Sequence, residues 1–203
     1  MHSKAPKGYY NRGYLPHADI PGQWQFITFR LADSLPQPVL AGINLEIAQC
    51  SDQQQEPEKR KKIEQWLDAG LGCCALQNPR MAEVMLQTLQ KFAGERYRLL
   101  AWCIMPNHVH VLIEAWQSLP LIVQSWKSYT GRWALAHNAE LGLGVPGKPF
   151  WMREYWDRFI RDEGHLNASV AYIHSNPVKA GLCANEEEWV WSSAYLRPRL
   201  AKF

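Results

Sequence analysis

The sequence lacks a cysteine framework. Its five cysteines (Cys50, Cys73, Cys74, Cys103 and Cys183) are odd in number and lack any Cys-x-x-Cys spacing. That argues against a disulfide framework or a cysteine zinc site, and leaves buried, reduced thiols as the expectation. Long apolar runs are also missing. The longest, Leu99–Met105, falls far short of the roughly 20 residues that cross a bilayer. Met1-His2-Ser3-Lys4 leads into polar and aromatic residues with no apolar segment, so neither a signal peptide nor a membrane partner is expected, and the cytoplasm is the default location. Charge of one sign is scarce: a net +3 does not by itself point to nucleic acid. There is no internal repeat, and no glycine-rich phosphate loop of the kind an ATP-driven reaction uses.

The chain does have enough apolar residues, 47% of 203, to build one substantial core. Residues 1–22, rich in Gly, Pro, Tyr and polar side chains, read as an arm without a core of its own; 23–196 read as the domain, and 197–203 as a basic tail. Basic residues gather near aromatic ones. Arg153 and Arg158 bracket Tyr155 and Trp156, Lys127 and Arg132 share a helical stretch, and Arg197 and Arg199 stand in the tail. Ten tryptophans and eight tyrosines are many for this length. Packing accounts for most of them, but aromatic rings beside arginines also form the stacking and phosphate-binding surfaces that single-stranded nucleic acid favours. The densest basic run, Lys59-Arg60-Lys61-Lys62, is flanked by Glu56, Glu58 and Glu64 and reads as a solvated helix face.

Hydrophobic periodicity orders the elements. Gln23–Leu31 alternates as a strand, and Pro36 and Pro38 open a helix to about Cys50. Ser51–Glu58, with Pro57, reads as a loop or helix junction; helical patterns follow at 58–69 and 79–93, the second opened by Asn78-Pro79. Arg96–Met105 and Asn107–Ala115 form a strand pair about Pro106. Ser118–His137 is amphipathic, with Leu119, Ile122, Trp126, Tyr129 and Trp133 on one stripe, so Tyr129 is expected in the core. Trp151–Arg161 reads as a short strand and Glu163–Asn176 as a helix stopped by Pro177. Helices interleaved with a hairpin imply an α+β fold: a mostly antiparallel sheet with helices packed on a face, ferredoxin-like or RNA-recognition-like.

Within the strand pair, Met105-Pro106-Asn107-His108-Val109-His110 puts two histidines on one strand face while Val109, Val111 and Ile113 point to the core. Two imidazoles one pleat apart can share a divalent cation. Asn107 can cap the turn, and Glu114 is a candidate partner for a histidine. On the later helix, Leu166, Val170 and Ile173 form an apolar stripe, and His165, Ser169, Tyr172 and Asn176 form a polar stripe beside it. The Asn176 amide oxygen can ligate a hard cation, with the Tyr172 hydroxyl one turn away facing the same space.

The MPNHVH segment of Met105–His110 together with YIHSNPVKAGL of Tyr172–Leu182 resembles the REP-associated tyrosine transposases, named for repetitive extragenic palindromes. They are single-tyrosine members of the His-hydrophobic-His endonucleases related to insertion-sequence transposases. Ser125–Arg132 and Arg153–Asp162 resemble that family's recurring segments as well. The resemblance implies that His108 and His110 are metal ligands for Mg²⁺ or Mn²⁺, and that Tyr172 is the nucleophile. It places Asn176 as the third ligand, where insertion-sequence relatives carry Gln. It also implies cutting and rejoining of single-stranded DNA at a REP hairpin through a 5′-phosphotyrosine, by a monomer, although insertion-sequence relatives work as dimers. Trp151, Arg153, Tyr155, Trp156 and Arg158 are then the expected DNA surface, followed by Lys127, Arg132, Lys179, Arg197 and Arg199. His174, His165 and Lys179 are candidates to take the tyrosine's proton. A hairpin-binding protein without turnover, or a nuclease using activated water, are the rival readings.

Overall fold

The computed structural model describes residues 8–11 and 16–196. Two short strands, β1 (Gly8–Asn11) and β2 (Pro16–Asp19), pair antiparallel apart from the main sheet. The main sheet holds β3 (Trp24–Arg30), β4 (Tyr97–Ile104), β5 (His108–Ala115) and β6 (Trp156–Phe159), all antiparallel, in the order β4-β5-β3-β6. With helices α3 (Pro79–Gln90) and α4 (Leu119–Leu141) this is the βαββαβ succession of a ferredoxin-like fold. Between β3 and α3 the chain inserts α1 (Gln37–Ile47) and α2 (Asp52–Asp68); after β6 it adds α5 (Glu163–Lys179).

Strand alternation divides the sheet into two faces. Ile27, Phe29, Val109, Val111 and Ile113 pack against Met81, Met85 and Leu89 of α3 and Ile122, Val123 and Trp126 of α4. A buried chain of hydrogen bonds joins these layers: Trp126 Nε1 donates to the Tyr97 hydroxyl (2.9 Å), which donates to the Leu89 carbonyl (2.7 Å). Phe26, Ala101, Cys103 and Leu112 face the other way, onto Ile173, Leu166 and Val170 of α5. Helices therefore cover both faces, not one. A bulge between Leu99 and Ala101 shifts the β4 register, so that Leu99 joins the first face and Ala101 the second. The segment after α5 closes the free edge of β4, where the Trp191 carbonyl accepts from Ile104 N (3.0 Å).

Two expected helix breaks are absent. Helix α2 starts at Asp52 and runs through Pro57, and α5 continues through Pro177 to Lys179. Each proline removes one backbone donor, but neighbouring turns and packing hold the helix: Pro177 is buried and Leu67 of α2 is in the core. Asn78 caps α3 as its sequence implies, accepting from Arg80 N (3.0 Å) and Met81 N (3.4 Å). All five cysteines are free thiols, but only Cys103 is fully buried. No helix among the described residues is long and apolar enough to cross a membrane.

Candidate active site

On the α5 side of the sheet, β5 presents His108 and His110, each 1% exposed. Their Nε2 atoms face one another 3.0 Å apart. Outer-ring nitrogens are held from behind: His108 Nδ1 lies 2.8 Å from Asn107 Oδ1, and His110 Nδ1 lies 2.8 Å from the Thr28 hydroxyl on β3. These partners, not Glu114, orient the rings. Burial pushes His108 down to about 3 and His110 well below its ordinary range, so both are neutral and ligand-competent at neutral pH.

Helix α5 brings up the other half. The Tyr172 ring meets His110 edge-on at 5.5 Å between centroids, and both rings lean on Phe26 at 5.8 and 5.5 Å. Asn176, one turn further along, is 1% exposed and its amide faces both His110 and Tyr172. Its Oδ1 accepts no hydrogen bond. A buried acceptor without a protein partner beside two neutral imidazoles is a donor set that fits a divalent cation. The spacing agrees: two donors each about 2.1 Å from one ion, at right angles, lie about 3.0 Å apart. Imidazole nitrogens accept Mn²⁺ more readily than Mg²⁺, which takes oxygen almost exclusively. Among the described residues no three His, Cys, Asp or Glu side chains form such a cluster, so an ion held here needs the asparagine.

Helix α2 supplies residues that sequence reasoning overlooked. Arg60, Glu64 and Asp68 recur every fourth residue and share one face. The Glu64 carboxylate faces the Tyr172 hydroxyl, with Asp68 nearby; burial first, then these two carboxylates, pushes the phenol above its ordinary range. Arg60 pairs with Glu64 at 3.0 Å and lies 3.4 Å over the Trp156 ring. The solvated-face reading of residues 59–62 therefore fails for Arg60. Thr28 was legible only as a polar residue on the inward face of a strand.

Of the three candidate proton acceptors, only Lys179 reaches the tyrosine, with Nζ 4.8 Å over its ring. His174 is buried against the Ser193 hydroxyl (2.7 Å), and His165 Nδ1 accepts from Arg161 N (3.3 Å). Tyr129, expected in the core, is 51% exposed on α4, across the sheet from the histidines.

The expected DNA surface divides. Trp151 and Tyr155 reach it only as the wall of the α4-side groove: both are 4% exposed, and Trp151 donates through Nε1 to Thr130 (2.8 Å) and packs on Phe29. No regular element spans residues 152–155, so periodicity gave no warning of this. Trp156 and the exposed Arg158 lie on the α5 side of β6, beside the histidine pair. On the α4 side, Lys127, Arg132, Lys148 and Arg153 line a groove of about 500 Å³. There Lys127 Nζ donates to the carbonyls of Met152 (2.6 Å) and Arg153 (2.7 Å). Arg197 and Arg199 lie outside the described residues.

Comparisons with known proteins converge on one group. The family model described as Transposase IS200 like matches residues 75–176, half of the chain and the stretch that carries His108, His110, Tyr172 and Asn176. A REP-associated tyrosine transposase of Escherichia coli is 26% identical over 98 residues, covering 48% of this chain and 54% of that protein. A Haemophilus influenzae protein assigned to the same kind of transposase is 29% identical over 110 residues, covering 48% and 58%. The chain thus matches little more than half the length of these curated relatives. A solved REP-associated tyrosine transposase bound to a REP hairpin shares the fold, with a TM-score of 0.54 over 92% of this chain and 86% of that one at 15% identity.

Proposed function

Because the chain belongs to the IS200-like transposase family, we propose that it cuts and rejoins single-stranded DNA at REP hairpins through a 5′-phosphotyrosine on Tyr172. The observation that carries this reading is the tyrosine packed edge-on against a neutral imidazole pair, beside the unsatisfied Oδ1 of Asn176. His108 Nε2, His110 Nε2 and Asn176 Oδ1 would hold Mg²⁺ or Mn²⁺, which would supply positive charge to the scissile phosphate as charge builds there.

The Tyr172 oxygen attacks phosphorus, the P–O bond to the phenol forms, and the bond to the 3′ oxygen breaks. Glu64 takes the phenol's proton, and the departing 3′ oxygen takes a proton from solvent water to become a hydroxyl. Attack by a 3′-hydroxyl on the phosphotyrosine runs the same steps backwards, so the phosphodiester energy is conserved and no nucleotide is consumed. Lys179, over the tyrosine ring, favours the phenolate as it forms. Trp156 and Arg158 guide the single strand into the site, and Arg132, Arg153 and Lys127 in the α4-side groove, with Arg197 and Arg199, contact the hairpin. His108, His110, Tyr172 and Asn176 come together within one chain, which suits a monomer.

Labelled single-stranded REP hairpin incubated with Mn²⁺ and run on a denaturing gel tests the reading. Wild type gives a covalent band and Tyr172→Phe gives none. Cleavage without a band would assign the chemistry to water, and binding without cleavage would leave a recognition protein.

A further inference from the structure

Asn107 is fully buried, and its amide makes three hydrogen bonds that together fix a proton elsewhere. Nδ2 lies 3.1 Å from the Leu67 carbonyl and 3.0 Å from the Leu71 carbonyl, at the C-terminal end of α2 and just beyond it. Only an NH₂ group can serve two carbonyl oxygens, so the amide has one possible orientation and Oδ1 faces His108 Nδ1 at 2.8 Å. Oδ1 can only accept. The His108 hydrogen therefore sits on Nδ1, and its Nε2 keeps a lone pair aimed at His110 Nε2, 3.0 Å away.

Two lone pairs would repel at that distance. Without an ion, His110 must carry its hydrogen on Nε2, donating to His108, while its Nδ1 accepts from the Thr28 hydroxyl at 2.8 Å. When both Nε2 atoms ligate a cation, the His110 hydrogen must stand on Nδ1 instead, and Thr28 turns from donor to acceptor. Both rings are neutral before and after. One imidazole hydrogen changes nitrogen, and Thr28 keeps its own. The Thr28 hydroxyl can serve in either sense; the Asn107 oxygen cannot.

We infer that Asn107 is a positioning residue that holds His108 permanently in the ligand-competent tautomer and fastens the end of α2, with Glu64 and Asp68, to the histidine pair. His110, backed by Thr28, is the member that changes tautomer on ion binding. The inference rests on the proposed reading of the two histidines as ligands, and the test separates the two.

The full chain labelled with ¹⁵N-histidine, assigned with His108→Gln and His110→Gln, gives both tautomers by long-range ¹H–¹⁵N correlation. The metal-free spectrum should show Nδ1-H on His108 and Nε2-H on His110. Added Zn²⁺, used because it is diamagnetic and readily bound by imidazole, should move only the His110 hydrogen. Nε2-H on metal-free His108 would overturn the inference. By electron paramagnetic resonance, Asn107→Ala should bind Mn²⁺ about 10–100-fold more weakly than wild type; an unchanged affinity in a folded variant would also overturn it. Should that variant fail to fold, the wild-type spectrum still decides. Should wild type bind no ion, the ligand reading fails, while the metal-free tautomer of His108 continues to test Asn107.

Discussion

Asp68 shows how this site loads its residues. Burial, and then the Glu64 carboxylate, raises its carboxyl from 3.8 to about 6, against the pull of Lys179. Tyr172 on α5 and Cys103 on β4 also feel its charge. A folded-state value above the unfolded one means that stability is fully present below pH about 4 and is lost as pH rises through about 6. The loss is on the order of 1 kcal/mol once the screening of a half-exposed group is allowed for. The two buried histidines act in the opposite sense, so wild type gains stability between pH 4 and pH 7. Urea denaturation should show that gain to be larger by about the Asp68 contribution in Asp68→Asn, and equal gains would refute it. Asn176 gives a second test. Ion binding should raise the melting temperature of wild type by several degrees, since about 2.7 kcal/mol is gained at a hundredfold excess over Kd. Asn176→Ala should lose most of that Mn²⁺-dependent rise. The histidines, Tyr172 and Asn176 were legible in sequence because strand and helix periods place them. Asn107, Thr28 and Glu64 act across elements, and no local spacing marks such contacts.

Helix α2 is the element that sequence reasoning read least well, and it lies before the segment matched by the family model. Pro57 and the polar run before it looked like a junction, yet the helix spans Asp52–Asp68 and holds Arg60, Glu64 and Asp68 toward α5. The strands fared better. Gln23–Leu31 and Asn107–Ala115 alternate cleanly, and their observed faces follow that alternation. A helix with so polar a surface shows its role only through what it packs on. If Glu64 receives the tyrosine's proton, Glu64→Gln should slow adduct formation by about 10²-fold or more while leaving hairpin affinity unchanged. Single-turnover kinetics with a labelled hairpin would separate the two quantities. A matching loss of affinity would show instead that Glu64 shapes the binding surface through Arg60, its partner at 3.0 Å.

At the scale of the whole molecule, the sheet separates two cationic regions that sequence reasoning treated as one. Trp156 and Arg158 stand on the α5 side with the histidines; Arg132, Lys148 and Arg153 line the groove on the α4 side. A linear chain cannot reveal which side of a sheet an arginine takes when no regular period surrounds it, and Arg153 precedes a strand of only four residues. A substrate touching both regions must pass around an edge of the sheet. Double-stranded stem and single-stranded foot would then be separable by mutation. Arg132→Glu combined with Arg153→Glu should weaken binding of a full hairpin and lower its salt slope by about 0.9 for each phosphate no longer neutralised. The same pair should leave adduct formation on a short, unstructured strand unchanged, because neither residue lies on the α5 side. Arg158→Glu should impair both substrates. Fluorescence anisotropy over a salt series, with gels for adduct formation, reads all three outcomes. Equal loss on both substrates from the groove pair would show that the groove carries the single strand as well, and the division into two regions would fall.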